Sequence, residues 1–530
     1  MKKPYNFPLI LSLFFITNII SAQVGPAPSI KWQKVIGGSQ NEGARFITGY
    51  NNGYIVGNHS TSGISGDKTM ANFGERDFWV LQIDKAGNII RQNAYGGTSD
   101  DWFSQVIGAN DGGSLICGQS GSCNTGNKQG DCFGGSDMWL IKAGPDGNIQ
   151  WQKTYGGSNG DGPNFMHEFD DGSILIGGYS ASEVSGNKTA PKKGESDYWL
   201  LKLDATGNII WQQTYGGSRS HSLTGFAFDA QQNIYLIGDS NSDKGGDKSE
   251  DNNGMYDFWL IKTDSQGNIL ADKTIGGTGI DNGNKIILHH NYIYIGGYSN
   301  SGISGDKTSA HFGENDFWLV KLDLNLNIIW DKSFGGSGND NLSDMKIIGD
   351  EIILAGYSNS GNDGNKTTAS FGEYDIWMIS ADVSTGAKNW EFAAGGSQND
   401  DCSSIFIDDN IIMIAGGSNS GVSGNKTFPS KGGYDMWILE LDNPTSLPKV
   451  EIRHNFKMFP NPASTMVNIE FPENSIGSEL AILSLDGKTL KREKINSTNH
   501  IMQLENLKAG IYLLETKGEG FILHKKLVIN

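Results

Sequence analysis

The chain is 530 residues long and has little of what usually anchors a protein of that size. Four cysteines cannot staple it, 13 prolines are too few for a proline-rich linker, and charged residues make up only 19%. Basic residues are outnumbered, 41 Lys and Arg against 59 Asp and Glu, for a net charge of −18. Nucleic acids and anionic membranes need a basic footprint, so neither is an expected partner. Beyond the first 22 residues no apolar run approaches the roughly 20 residues of a membrane span, and no transmembrane segment is expected. The sequence has no Gly-x-Ser-x-Gly elbow, no His-Glu-x-x-His helix and no glycine loop opening a helix around phosphate. No catalytic, cofactor-binding or metal-ligating residue is therefore assigned.

Glycine is abundant, with 73 residues, and it is periodic. Asp-x-Trp occurs at Asp77, Asp137, Asp197, Asp257, Asp316, Asp375 and Asp435. Gly-Gly-Ser/Thr begins at Gly37, Gly96, Gly156, Gly216, Gly276, Gly335 and Gly395. Gly-Asp/Asn-Lys begins at Gly66, Gly126, Gly186, Gly246, Gly305, Gly364 and Gly424. Three markers in one phase define seven copies of a unit of about 60 residues. Each unit resolves into four short strands; in the fifth copy these are 285–288, 292–295, 317–323 and 328–334. Four-stranded units of this kind are propeller blades, so residues 23–443 are expected to form a seven-bladed β-propeller. The first strand, 30–36, stands alone and the last copy stops after its third strand, so the N-terminal strand should complete the final blade. The stretch Ile295-Gly296-Gly297-Tyr298 resembles a kelch unit, and this likeness carries no activity with it.

The repeated residues have structural readings. Twelve of the 13 tryptophans fall at equivalent third- or fourth-strand positions, as expected of blade packing. The Asp before each third strand should cap loop N–H groups. Gly-Gly should supply positive φ where one blade passes to the next. Oxygen donors such as Asp67, Asp247 and Asp306 lie near Asp100, Asp101, Asp281, Asp340, Asp400 and Asp401, which raises calcium as an alternative. The Lys that follows each, such as Lys68, favours Asx-turns and Lys–Asp pairs instead. His59, His167, His221 and His311 are read as surface histidines without triad or metal spacing. Cys123 and Cys132 flank one glycine-rich loop and are a disulfide candidate, worth on the order of 2–3 kcal/mol; Cys117 and Cys402 lie in apolar strands and read as buried.

Both ends carry targeting features. Met1-Lys2-Lys3, an apolar run from Phe7 to Ile20 and Ser21-Ala22-Gln23 have the order of a secretory signal peptide, expected to span 1–22. After a linker at 444–455, residues 456–530 change composition, and residues 449–530 together carry a net charge of +2. This segment resembles the type A C-terminal sorting domain of type IX secretion substrates. The resemblance is carried by Phe459-Pro460-Asn461-Pro462, Leu485-Asp486-Gly487-Lys488, the run containing Gly510 and Tyr512, and the closing Lys525-Lys526. It implies a small immunoglobulin-like β-sandwich, recognised by the type IX translocon, and export to the cell surface or the medium. The whole chain thus reads as all-β: a seven-bladed β-propeller followed by that sandwich.

In each blade the tight turns fall on one face of the ring and the long Ser-to-Asp and Gly-Gly loops on the other, making the long-loop face the expected binding face. The first expectation is a non-catalytic surface or secreted protein that binds an extracellular protein or glycan. The alternatives are a polysaccharide-degrading enzyme and a structural surface-layer component. Catalysis would require a one-off cluster on one face, for which Arg219 and His221 are the best sequence candidates.

Overall fold

The computed structural model describes residues 26–408, 411–443, 456–471, 476–484, 488–505, 507–518 and 521–530. The expected signal peptide and linker, and Asp486 and Gly487 of the sorting motif, lie outside the described residues. The chain divides into two compact units, residues 1–445 and 446–530. Among the described residues there is no helix.

The first unit is a β-propeller of seven four-stranded antiparallel sheets. Blade 1 is built from Glu42–Tyr50, Gly53–Ser60, Asp77–Asp84 and Ile89–Tyr95. Blades 2 to 6 occupy residues 101–155, 161–215, 221–275, 281–334 and 340–394. Blade 7 takes Asp400–Asp408, Ile411–Ser418 and Asp435–Asp442 from the C-terminal end of the ring and Ile30–Ile36 from the N-terminal end. Val35 faces Trp437 and Ile36 faces Met436 across that closing ladder. The expected closure is therefore present, and it removes the free edge that an open last blade would expose. First strands of successive blades contact one another around a complete circuit, including blade 7 with blade 1, so they form the inner wall.

In the fifth copy the first strand starts earlier, and the second runs on further, than the sequence suggested. In blade 5 they run Asp281–His289 and Tyr292–Ser299. The extra residues carry the ladder to the long-loop end, with Asp281 opposite Ser299.

Apolar burial is divided among seven clusters, one between each pair of adjacent blades. Every third-strand Trp (Trp79, Trp139, Trp199, Trp259, Trp318, Trp377 and Trp437) is fully buried. Each removes on the order of 200 Å² from water, a gross gain of about 5 kcal/mol at ~25 cal/mol per Å². The indole N–H also finds a partner in six blades: Trp79 donates to Gln92 Oε1 at 3.1 Å, and Trp437 donates to Gln33 Oε1 at 3.2 Å. Fourth-strand tryptophans pack outward on the next blade, where Trp32 sits against the Gly87 turn.

The blade-to-blade crossing corrects the reading of Gly-Gly. These glycines are not the ones with positive φ; that conformation belongs to Gly66 and its equivalents in Gly-Asp/Asn-Lys. Gly-Gly is required by close approach instead. A Cβ on Gly37 would lie 1.7 Å from Asp435 Oδ1, and one on Gly38 would lie 2.4 Å from Ser62 Cβ. The crossing segment is clasped from both sides: the Gly37 N–H donates to Asp67 Oδ2 at 3.1 Å, and the Gly38 N–H to Glu42 Oε2 at 2.7 Å. Asn127 and Asn187 accept from Gly96 and Gly156 in the same way, so these Asx side chains hold the crossing segment.

The second unit is a sandwich of a three-stranded and a four-stranded antiparallel sheet. Its core includes Phe456, Val467, Ile469, Leu480, Ile482, Met502, Leu514 and Leu527.

Deleting residues 24–38 should unpair the third strand of blade 7. Losing a seven-residue strand with its buried Val35 and Ile36 should cost more than about 5 kcal/mol and lower the melting temperature of the ring by about 10 °C or more. A calorimetric scan unchanged by the deletion would contradict the closure.

Candidate functional site

The conserved framework of each blade ends in buried carboxylates. Asp77 Oδ2 accepts the Phe73 N–H at 2.6 Å, and its counterparts cap their loops in the same way, as expected. The next blade contributes a second carboxylate, such as Asp101, which accepts from Gly97 N–H at 2.8 Å and Ser122 Oγ at 2.9 Å. The two converge. At one point beside Gly335, Asp316 Oδ1 is 2.1 Å away and Asp340 Oδ2 is 2.7 Å away. One oxygen of most of these carboxylates is buried without a hydrogen-bond partner among the described residues, Oδ1 of Asp77 and Asp101 among them.

Burial, reinforced by the neighbouring acid, pushes the carboxyls of Asp77 and Asp137 up to about 6 and that of Asp257 up to about 7, against the N–H bonds that lower them. The adjacent lysines do not form the expected ion pairs. Lys68 is buried, donates to the Ser62 carbonyl at 2.6 Å and lies 6.0 Å from the Trp79 ring centroid. Lys128, Lys188, Lys366 and Lys426 repeat the bond to the Ser carbonyl. Among the described residues no group of three or more His, Cys, Asp or Glu side chains is arranged to hold a metal ion.

His221 occupies the second-carboxylate position in blade 4. It is buried, its Nε2 accepts from the Gly217 N–H at 2.7 Å and stands 3.0 Å from Ser242 Oγ, and its pKa is lowered to about 4 by burial and by Lys248. It is neutral and stands in for a carboxylate acceptor, so the surface reading of this histidine is corrected. Arg219 is exposed and offers its backbone N–H to Ser242 Oγ. These two residues do not build a site. His167 is half-buried and packs among Phe169, Phe226 and Phe228, while His311 is exposed, as expected, with its Nδ1 3.1 Å from Asp316 Oδ2.

The one-off residues gather elsewhere, at the long-loop end of the inner strands. Three positions in each blade interrupt otherwise constant columns. The first follows the second carboxylate: Gly43, Trp102, Gly162, Ser222, Asn282, Asn341 and Asp401. The second lies opposite it on the neighbouring strand: His59, Gln119, Tyr179, Asp239, Tyr298, Tyr357 and Gly417. The third precedes Asp-x-Trp: Arg76, Ser136, Ser196, Tyr256, Asn315, Tyr374 and Tyr434. Their side chains interact. Gln119 Nε2 donates to Tyr179 Oη at 2.9 Å, Asn282 Nδ2 donates to Tyr298 Oη at 2.6 Å, and the Tyr357 and Tyr374 rings meet edge to face at 5.5 Å.

Two cavities open there. One, of about 710 Å³, is bordered by Asp239, Tyr256, Asn282, Tyr298, Glu314 and Asn339. Burial pushes the Asp239 carboxyl up to about 6. The other, of about 630 Å³, lies between blades 6, 7 and 1 and includes Arg45, His59, Arg76, Tyr357, Tyr374 and Asp401. Arg76 stacks 3.6 Å from the Trp102 ring centroid and pairs with Asp100 at 3.2 Å. Trp102 is the tryptophan outside the repeat pattern and is 40% exposed. Burial, with Arg45 and Arg76 alongside, lowers the His59 pKa to about 3, so its imidazole is neutral; its ring meets Trp102 edge to face at 4.8 Å. The Asp401 carboxyl, raised by burial, is engaged by Tyr434 Oη and by the Gly417 N–H at 3.0 Å.

Cys123 and Cys132 form a disulfide with Cα atoms 5.4 Å apart, and Cys117 and Cys402 are free and buried. In the sandwich, Asn461 ties the start of the unit to its last strand, donating to the Lys526 carbonyl and accepting from the Val528 N–H, each at 2.8 Å. Lys525 donates to the Phe456 carbonyl and lies 5.0 Å from that ring centroid. Phe459 and the remaining motif residues Pro460 and Pro462 are exposed, Gly510 begins a strand, and Tyr512 Oη donates to the Lys508 carbonyl at 2.7 Å.

Comparison with known proteins identifies the second unit. The family model described as "Secretion system C-terminal sorting domain" matches residues 457–530. The resemblance seen in the sequence holds: this end of the chain is a type IX sorting domain, which directs export to the cell surface or the medium. A curated relative, Regulatory protein FlaEY of Caulobacter vibrioides, is 22% identical over 332 residues, covering 57% of this chain. The chain spans about a third of that relative's length, 34%. Among solved structures, the β-propeller domain of the trilobed protease from Pyrococcus furiosus aligns at 8% identity and a TM-score of 0.38, covering 78% of this chain and 99% of that one. PorZ, a bacterial surface component of the type IX secretion system of Porphyromonas gingivalis, aligns at 10% identity and a TM-score of 0.28, covering 95% and 75%. Among the described residues no helix is long and apolar enough to cross a membrane.

The buried carboxylates make ring stability depend on pH. Their folded pKa values lie above the ordinary carboxylate value near 4, so the stability they contribute is full below about pH 4 and is lost as pH rises through 6 to 7. The ring should melt at a higher temperature at pH 5 than at pH 8. Asp257→Asn, which mimics the protonated acid, should reduce that difference; a steeper dependence in the variant would contradict the assignment.

Proposed function

We propose that this is a non-catalytic binding protein, displayed or released by type IX secretion, that captures an extracellular protein or glycan at the long-loop mouth of its propeller. The observation that carries this reading is the confinement of sequence variation. Framework positions repeat in every blade, whereas the aromatic, amide and charged one-off residues meet at the mouth. Rigid scaffolds with variable loop-end side chains are where binding sites reside. Tyrosine, tryptophan, asparagine and arginine together give large contact areas with adaptable hydrogen bonds.

Binding to glycan and protein arrays tests this. Tyr357→Ala with Tyr374→Ala should weaken capture of any retained ligand at least tenfold without lowering the melting temperature by more than a few degrees. Retention of full binding would place the site elsewhere. For the sorting domain, deletion of residues 456–530 should leave a folded ring inside the outer membrane, detected by fractionation and protease shaving. Surface display of the truncated protein would count against that role.

A polysaccharide-cleaving enzyme is a second reading, favoured by the Asp239 carboxyl at about 6 and by Glu314 on the same cavity. Reducing-sugar release from a polysaccharide panel, lost in Asp239→Asn, would favour it over pure binding.

A further inference from the structure

We infer that the cavity between blades 6, 7 and 1 takes a carboxylate-bearing saccharide, with Arg45 holding the carboxylate. This rests on the mouth being the binding site and adds the ligand class.

The inner strand of every blade has a bulge two residues after the first variable position, which isolates Arg45, Ser104, Asn164, Thr224, Asn284, Ser343 and Ser403 from the ladder. Elsewhere this bulged residue is small or an amide, and in blades 3 to 5 it is tied to the next inner strand. Asn164 donates to the Leu223 carbonyl, Thr224 to the Gly283 carbonyl and Asn284 to the Leu342 carbonyl. Arg45 breaks the pattern. It is exposed, borders the cavity and makes no ion pair or hydrogen bond among the described residues. The ring around it is strongly acidic: with Lys2 and Lys3 giving +2 and residues 449–530 giving +2, the net of −18 leaves −22 on the repeats. An unpaired guanidinium kept in such a field is suited to bidentate recognition of a ligand carboxylate.

The rest of the lining selects the ligand's other groups. Thr61 Oγ1 is bonded to the Asn41 backbone, Asn419 Oδ1 accepts from the Asn399 N–H and Asn399 Nδ2 donates to Glu373, which leaves the Asn41 amide, Asn399 Oδ1 and Asn419 Nδ2 to offer donors and acceptors to neighbouring hydroxyls. Tyr357 and Tyr374 supply ring faces and edges. Asp401 lies close enough to attract Arg45, but its hydrogen bonds go to Tyr434 Oη and the Gly417 N–H and it makes no ion pair with the guanidinium; Arg76, the other arginine on the cavity, is held by Asp100. No Leu, Ile, Val, Met or Phe borders the cavity, so it lacks the apolar recess in which a peptide would anchor. These features favour an acidic sugar over an acidic peptide.

Titration calorimetry of the full-length protein with oligogalacturonate, its methyl ester and poly-glutamate tests this. Oligogalacturonate should bind, and the methyl ester at least tenfold more weakly. Arg45→Gln should lose about tenfold in affinity for the acid with an unchanged melting temperature, and should bind acid and ester alike. Equal binding of acid and ester by the wild type, or an unaffected Arg45→Gln, would overturn the ligand class. Preference for poly-glutamate would replace the sugar by an acidic peptide. If uronate fails while another array ligand is lost in the Tyr357 and Tyr374 variants, this inference falls and the mouth reading stands. If no ligand responds to those variants, both fall.

Discussion

The ring depends on one tight passage repeated seven times: two glycines threading between a carboxylate of one blade and the serine and Asx side chains of the next. A single methyl group has no room there, since a Cβ on Gly37 would overlap Asp435 Oδ1. The passage fixes the spacing and angle of successive blades and brings two acids to one junction. It also lets each third-strand tryptophan pack into the neighbouring sheet. Seven separate interblade cores follow from that geometry, which is how a chain only 37% hydrophobic, dense in glycine and short of cysteine forms a stable body.

Much of this was legible in the sequence because the repeats average out accident. The period, the strand count, the closing strand and the unequal faces all follow from three markers in phase. The roles of individual residues were harder to read, since they depend on what lies across a blade boundary. Gly-Gly looked like a conformational requirement and is a steric one. Lys68 looked like a partner for Asp and instead caps a carbonyl beneath Trp79. His221 looked like a departure with chemical potential and proves to be a neutral substitute for a buried acid.

The face was anticipated, but the residues lining its mouth were missed for the converse reason. Searching for triads or metal spacing favours residues close in sequence, whereas Arg45, His59, Arg76, Tyr374 and Asp401 come from three blades and more than 350 positions of chain. The available signal was the variable column inside a constant repeat. Three such columns flank the carboxylates and the Asp-x-Trp unit, and they mark the lining of both cavities. The division of labour is physical: framework positions are locked by burial and hydrogen bonds, while the intervening ones touch solvent and one another.

The closing strand also sets an order of events. Gln33 and Trp437 are hydrogen-bonded partners 404 positions apart, so nearly the whole repeat region must emerge before its two ends can meet. Until then blade 7 lacks its outer strand and the Asp435–Asp442 strand has an unpaired edge. The sorting domain comes immediately after this blade in the chain, so annealing of the seam and arrival of the export address become possible at nearly the same moment of synthesis.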